Sequence, residues 1–88
     1  SYDIVIEGHT DSRPILSGAF PSNWELSAHR ASQVVRVFLD EGVDPTRIAP
    51  IGYADTRPEV PDRNEWGELD EAALGKNRRV VVRINTAH

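Results

Sequence analysis

Cysteine is absent from this sequence of 88 residues, and aromatic residues make up only 7% of it. The lack of cysteine excludes disulfide bonds and thiolate metal or redox sites, although it does not indicate a cellular compartment. No apolar run approaches the roughly 20 residues that cross a membrane, and the first residues do not resemble a signal peptide. Any membrane or export segment is therefore expected outside this sequence.

Positive charge is also scarce. The sequence contains ten Lys and Arg residues and fourteen Asp and Glu residues, so the formal net charge is −4. The longest basic cluster is Arg78-Arg79. Because non-specific nucleic-acid binding depends on neutralising phosphates with basic side chains, we expect no nucleic-acid partner. The 39% of hydrophobic residues is typical of a small globular domain with a modest core.

Motifs of catalytic and cofactor sites are missing as well. The sequence has no Gly-x-Ser-x-Gly elbow, no phosphate-binding loop and no dinucleotide fingerprint. His9, Asp11 and His29 are of types that bind zinc or transfer protons, but no two lie at a recognised ligand spacing. We therefore predict a protein that is not an enzyme and has neither a metal nor a cofactor.

Alternating apolar residues predict the first strand. Tyr2, Ile4 and Ile6 alternate with their neighbours, and Gly8 is predicted to end the run. Residues 11–21 contain two prolines and a glycine without an apolar period, which indicates a surface loop at the carboxyl end of this strand.

A long amphipathic helix follows the loop. Ser22 and Glu25 form a capping box at its start, and Gly42 is a plausible C-terminal cap. Its apolar positions recur at helical spacing: Ala28, Ala31, Val34, Val35, Phe38 and Leu39.

The second half of the chain predicts two further strands. Residues 47–53 form a short strand in which Pro50 indicates an edge or a bulge. A long loop is expected over residues 54–69 and a short helix over residues 68–76, and the β-branched run at residues 80–84 predicts a last strand. This order predicts an α+β fold (an α/β sandwich) with helices on one face of a small mixed β-sheet. We expect one domain over residues 1–88.

Three polar clusters lie at the ends of predicted elements. They are residues 8–11 after the first strand, residues 23–30 on the long helix and residues 77–80 at the start of the last strand. Asn23, Ser27 and Arg30 fall on one flank of the helix at 100° per residue, beside the apolar stripe. One acid together with several arginines suits a zwitterionic ligand, because guanidinium groups bind carboxylates and a carboxylate binds ammonium.

These segments resemble the OmpA-like family. The resemblance rests on residues 4–11 (IVIEGHTD), 26–31 (LSAHRA), 52–53 (GY) and 77–80 (NRRV), which occur in the family's order over nearly the whole chain. The loop that ends at residues 20–27 (FPSNWELS) is similar to the MotB-type flagellar stator branch. Because the family usually begins with a further strand and helix, we expect the domain to be trimmed at its N-terminal side.

The resemblance implies a binding site for the diaminopimelate of the peptidoglycan stem peptide. It assigns the ligand's ammonium to Asp11 and its carboxylate to Arg30, with Thr10, Asn23 and Arg78 as further contact positions. It also implies a homodimer in the periplasm, joined through a missing inner-membrane segment to a channel-forming stator partner.

An alternative is a purely structural or protein-interaction role, in which Asp11 and the arginines form ion pairs that hold element ends together. The two interpretations differ in geometry: a binding site leaves Asp11 and Arg30 apart and facing a cavity, whereas a structural pair would touch. Trp24 and Trp66 are expected either in the core or at an interface.

Overall fold

The computed structural model describes residues 3–15 and 18–85, so Tyr2 of the predicted first strand lies outside the described residues. Its elements are β1 (Ile4–His9), α1 (Asn23–Asp40), a 3-10 helix (Pro45–Arg47), β2 (Ile48–Gly52), α2 (Glu71–Asn77) and β3 (Arg79–Ile84). β1 is central in the sheet order β2-β1-β3, parallel to β2 and antiparallel to β3. The predicted α+β architecture with a small mixed sheet is confirmed.

β1 runs further than the sequence predicted. Gly8 does not end the strand, because it pairs with Gly52 on one side and Val80 on the other, and His9 pairs with Arg79. Two flanking strands hold this glycine in the ladder despite its low intrinsic preference for a strand. β1 therefore ends at His9, directly before Thr10.

The missing side chains of Gly8 and Gly52 set the distance between helix and sheet. A Cβ at Gly8 would lie 2.0 Å from the carbonyl oxygen of Ser27, and one at Gly52 would lie 2.6 Å from the backbone nitrogen of Ala28. Glycine is needed at both positions because the backbone of α1 rests directly on the sheet. The first turns of α1 are thus held at the carboxyl ends of β1 and β2.

The caps predicted for the long helix are present. The hydroxyl of Ser22 accepts a hydrogen bond from the backbone N–H of Trp24, so Ser22 is the N-cap as predicted. Glu25 accepts from the hydroxyl of Ser22 and not from its backbone N–H, so the reciprocal bonds of a capping box are not formed. Gly42 has a φ of 97°, the left-handed conformation that commonly follows a helix end.

A small core lies between α1 and the sheet. Ile6, Ala31 and Ile48 are buried at its centre, and partly buried apolar residues surround them: Ile4, Val34, Val35, Phe38 and Val43. α1 packs on β1 and β2. Val82 lies opposite Ile6 but is 43% exposed, because α1 does not extend over β3. None of the described helices is both long and apolar enough to cross a membrane.

The remaining elements differ from their predicted bounds by a few residues. β2 is an edge strand, which accommodates Pro50 as predicted. α2 begins at Glu71 instead of at residue 68, because the carboxylate of Asp70 accepts hydrogen bonds from two backbone N–H groups and caps the helix there. Trp24 and Trp66 are both exposed, so the alternative that placed them in the core is wrong.

Candidate functional site

A cleft of about 200 Å³ opens beside the carboxyl end of β1. Its lining comes from the end of β1, the following loop, α1 and the start of β3: Thr10, Asp11, Arg13, Pro14, Ile15, Asn23, Leu26, Arg30 and Arg78. The structure therefore brings all five residues singled out in the sequence to one cavity. These five come from the three separate polar clusters.

Among the described residues of the cleft wall, Asp11 is the only carboxylate, and it is 7% exposed. Its Oδ1 accepts the backbone N–H of Arg13 at 2.9 Å, and its Oδ2 accepts Nη2 of Arg13 at 2.8 Å and Nη1 of Arg78 at 2.7 Å. Burial by itself would raise the pKa of Asp11, but the hydrogen bonds from Arg13 and Arg78 outweigh it and hold the pKa below its ordinary value. Asp11 is therefore ionised at neutral pH.

Arg30 is half-buried and lines the same cleft, two helical turns from Asn23. Within residues 3–15 and 18–85, no acidic side chain lies within ion-pair distance of its guanidinium. Asp11 and Arg30 thus face one cavity without touching, the geometry expected of a binding site. Asp11 is nevertheless ion-paired, with two other arginines.

Ser27 does not share the groove with Asn23 and Arg30, contrary to the prediction from the helical projection. It is fully buried, donates a hydrogen bond to the carbonyl oxygen of Trp24 and accepts one from the backbone N–H of Ala54, each at 3.0 Å. Its 40° offset from Asn23 is enough to turn it onto the sheet. Ser27 therefore fastens α1 to the turn after β2.

Thr10 and Asn23 hold the backbone of the loop that carries Asp11. The hydroxyl of Thr10 donates to the carbonyl oxygen of Asp11 at 3.0 Å, and the side-chain amide of Asn23 donates to the carbonyl oxygen of Arg13 at 3.0 Å. The bond from Asn23 ties the loop to α1, and the bond from Thr10 fixes the backbone at Asp11.

Arg13 is a cleft residue that the sequence analysis missed. Its guanidinium lies on Asp11, and its Nη1 is also 3.7 Å from Oε1 of Glu71. One local signal was available, since an aspartate commonly accepts the backbone N–H two residues later in an Asx turn. That signal predicts the backbone contact between Asp11 and Arg13 but not the direction of the arginine side chain.

His9 lies away from the cleft, on the face of the sheet opposite α1. It is 2% exposed, its Nε2 is 3.2 Å from Oε1 of Glu7, and its ring stacks on Tyr53. Glu7 is also bonded by Arg83 across the strand pair. Burial lowers the pKa of His9, although the bond to Glu7 opposes this shift. His9 is therefore a neutral structural group at neutral pH.

Acidification from pH 7.5 to 5.5 is expected to destabilise the fold through His9. Because its folded pKa is lowered from the ordinary value of 6.5, the unfolded chain binds more protons below that value, and stability falls as the pH falls. Urea unfolding at the two pH values measures the loss. We expect a smaller loss in His9→Phe than in the wild type. Equal pH dependence in His9→Phe and the wild type would contradict this assignment.

The cleft does not hold a cluster of metal-binding side chains. Within the described ranges, no three His, Asp or Glu residues lie together in a way that could bind a metal ion. What the cleft presents is three guanidinium groups and one carboxylate around an open cavity.

Comparison with known proteins agrees with this fold. The model of the OmpA family matches residues 1–68. The uncharacterized protein YtxE of Bacillus subtilis is 47% identical over 83 residues, which cover 93% of this chain and 32% of YtxE. The peptidoglycan-associated lipoprotein of Pseudomonas aeruginosa is 32% identical over 80 residues, which cover 91% of this chain and 42% of the lipoprotein. The chain thus spans less than half the length of either relative.

Two solved structures show the same fold. The periplasmic domain of Helicobacter pylori MotB superposes with a TM-score of 0.79 at 32% identity, covering 97% of this chain and 50% of that one. The cell wall anchor of the type VI secretion system from Pseudomonas aeruginosa superposes with a TM-score of 0.81 at 29% identity, covering 98% and 56%. On these grounds the chain belongs to the OmpA family and is similar to the periplasmic domain of MotB.

Proposed function

We propose that the domain binds peptidoglycan non-covalently, through the diaminopimelate of the stem peptide, and anchors a flagellar motor stator to the cell wall. The observation that carries this proposal is Arg30, a half-buried cation that faces the cleft without an acidic partner among the described residues. A desolvated cation is stabilised by an anion, so the empty place beside Arg30 suits a ligand carboxylate.

The presence of both signs of charge in the cleft supports a ligand that carries a carboxylate and an ammonium group. Three arginines, at positions 13, 30 and 78, line it together with the carboxylate of Asp11, and their excess positive charge favours the carboxylate end of such a ligand. In our proposal Arg30 binds the carboxylate of the ligand's charged centre and Asp11 accepts its ammonium group. Thr10, Asn23 and Arg78 complete the pocket, the first two by holding the loop in place and Arg78 by orienting Asp11.

The proposed mechanism is recognition without bond breaking. Guanidinium groups remain protonated at neutral pH, and the arginines on Asp11 stabilise its ionised form, so these charged groups are suited to electrostatic recognition more than to proton transfer. Binding is then reversible, and its strength comes from charge-assisted hydrogen bonds in a partly desolvated cleft.

The stator role rests on similarity to the periplasmic domain of MotB, a motility protein. In this proposal the domain lies in the periplasm, forms a homodimer and is joined through an inner-membrane segment to a channel-forming partner. A second candidate is an envelope anchor that serves a machine other than the flagellar motor. It is supported by the equally close superposition on the cell wall anchor of a secretion system.

Sedimentation with purified peptidoglycan sacculi tests the binding function. The wild-type domain should pellet with sacculi, and free meso-diaminopimelate should release it. Asp11→Asn should reduce the bound fraction at least tenfold, because the uncharged amide lacks the anionic oxygens that hold an ammonium group. The control Asp40→Asn makes the same change at the exposed end of α1 and should bind as the wild type does.

Failure of the folded wild-type domain to pellet would contradict peptidoglycan binding and favour the protein-interaction role. To distinguish the stator role from that of another envelope anchor, the gene for the full-length protein is deleted in a motile host and swimming is measured. Loss of swimming with intact flagella supports the stator, and unchanged swimming supports the second candidate.

A further inference from the structure

The place on Asp11 that a ligand ammonium would take is already filled by Arg13. Its Nη2 and Nε lie 2.8 Å and 3.3 Å from Oδ2 of Asp11, and its backbone N–H binds Oδ1. Together with Arg78, which binds the same Oδ2, these contacts use the carboxylate on both oxygens. Both arginine side chains lie on Oδ2, whereas Oδ1 accepts only a backbone N–H, so a ligand cation reaches Oδ2 only if one arginine moves.

Of the two arginines, Arg13 is the one with an alternative partner. Its side chain is 44% exposed, and its Nη1 is 3.7 Å from Glu71, whose own side chain is 78% exposed at the first turn of α2. Arg78 follows the last residue of α2, where its backbone N–H is bonded to Leu74, and Asp11 is its only acidic partner among the described residues. Rotation of Arg13 outward breaks its bonds to Asp11 but leaves its guanidinium beside the carboxylate of Glu71.

We infer that Arg13 competes with the ammonium group of a ligand for Asp11. The ligand displaces Arg13, whose guanidinium then pairs with Glu71. This inference rests on the proposed binding function and describes how a residue of the domain regulates the affinity for the ligand. A ligand ammonium group that binds Oδ2 of Asp11 must displace Arg13, whereas a ligand with carboxylates alone binds with Arg13 in place and benefits from its charge. Arg13 thus lowers the affinity for the zwitterion and raises it for a simple dicarboxylate.

The test uses two probes of equal chain length, meso-diaminopimelate and pimelate, which differ by the two amino groups. Binding to the 88-residue domain is followed by NMR chemical-shift titration. Arg13→Gln should bind meso-diaminopimelate about two- to fivefold more tightly, since a partly exposed ion pair no longer has to be broken. The same variant should bind pimelate more weakly. Arg36→Gln is the matched control, because it removes an exposed arginine from α1 with the same change in charge.

Glu71→Gln provides a second variant that leaves every contact of Asp11 intact. It should weaken binding of meso-diaminopimelate modestly, because the displaced Arg13 loses its acceptor. This effect should vanish when Arg13→Gln is also present, as a double-mutant cycle would show. An equal effect of Glu71→Gln in both backgrounds would overturn the role of Glu71 as the acceptor.

The outcomes separate this inference from the function on which it rests. If the wild type binds meso-diaminopimelate and Arg13→Gln binds it equally or more weakly, Arg13 is not a competitor and the proposed function stands. If neither the wild type nor any variant binds the probe or sacculi, the proposed function itself is contradicted. Opposite changes for the two probes in Arg13→Gln would establish the competition.

Discussion

Gly8→Ala is expected to lower the free energy of unfolding by about 3 kcal/mol, the upper end of the usual cost of overpacking. The added Cβ would lie 2.0 Å from the carbonyl oxygen of Ser27, a backbone atom that cannot rotate away as the end of a flexible side chain could. The helix must move outward, which loosens the contact of Ala31 with Ile6. For 88 residues the total stability is about 4–13 kcal/mol, so the loss is a large share of it.

Urea unfolding followed by circular dichroism measures this loss. Gly75→Ala is the matched control, because the new Cβ would meet only the guanidinium of Arg78 at 3.5 Å, an ordinary contact with a flexible group. At this helical position alanine should raise stability by about 0.5–1 kcal/mol. Glycine-to-alanine substitution is thus expected to lower the free energy of unfolding at one site and to raise it at the other. If Gly8→Ala were neutral, the close approach of α1 to the sheet would be wrong.

Arg30→Gln is expected to weaken binding of soluble muropeptides by about 2 kcal/mol, which corresponds to roughly 30-fold in Kd. Loss of one partner from a charge-assisted pair costs about 2–5 kcal/mol, and the lower end applies because the cleft is open and Arg30 is only half-buried. Isothermal titration calorimetry with a peptidoglycan fragment that contains diaminopimelate gives the value. Stability should change little, since Arg30 has no acidic partner in the described part of the chain.

Arg36→Gln serves as the control for Arg30→Gln, because both remove one positive charge from the same helix. Arg36 is exposed and does not line the cleft, so its loss should leave Kd within about twofold of the wild type. Equal weakening by both substitutions would indicate long-range attraction instead of a pocket at Arg30. Raised salt would then reduce the difference between each variant and the wild type.

The helix and its caps were predictable because their determinants are local. Ser22, Glu25 and Gly42 act within a few residues of their own positions, and an apolar stripe at helical spacing requires a helix whatever it packs on. The end of β1 was mispredicted for the opposite reason. Gly8 breaks a strand by its own preference, and only pairing with residues far along the chain keeps it in the sheet.

In the candidate site too, some features were predictable from the sequence and others depended on the folded structure. The resemblance to the OmpA-like family selected Thr10, Asp11, Asn23, Arg30 and Arg78, all of which line one cleft. It could not reveal that Arg13 covers Asp11 or that Ser27 turns onto the sheet. Both depend on side-chain directions that are set by packing between separate elements.

By itself, the sequence determined the order of elements, the long helix, the family and the residues that carry charge, because each follows from local spacing or from side-chain type. Only the tertiary structure decided which charges meet. Asp11 and Arg78 are 67 positions apart in sequence, and their contact exists because β3 returns antiparallel to β1 and delivers the arginine to the end of that strand. Ion pairing acts over a few ångström, so it depends on distances that the folded backbone alone sets.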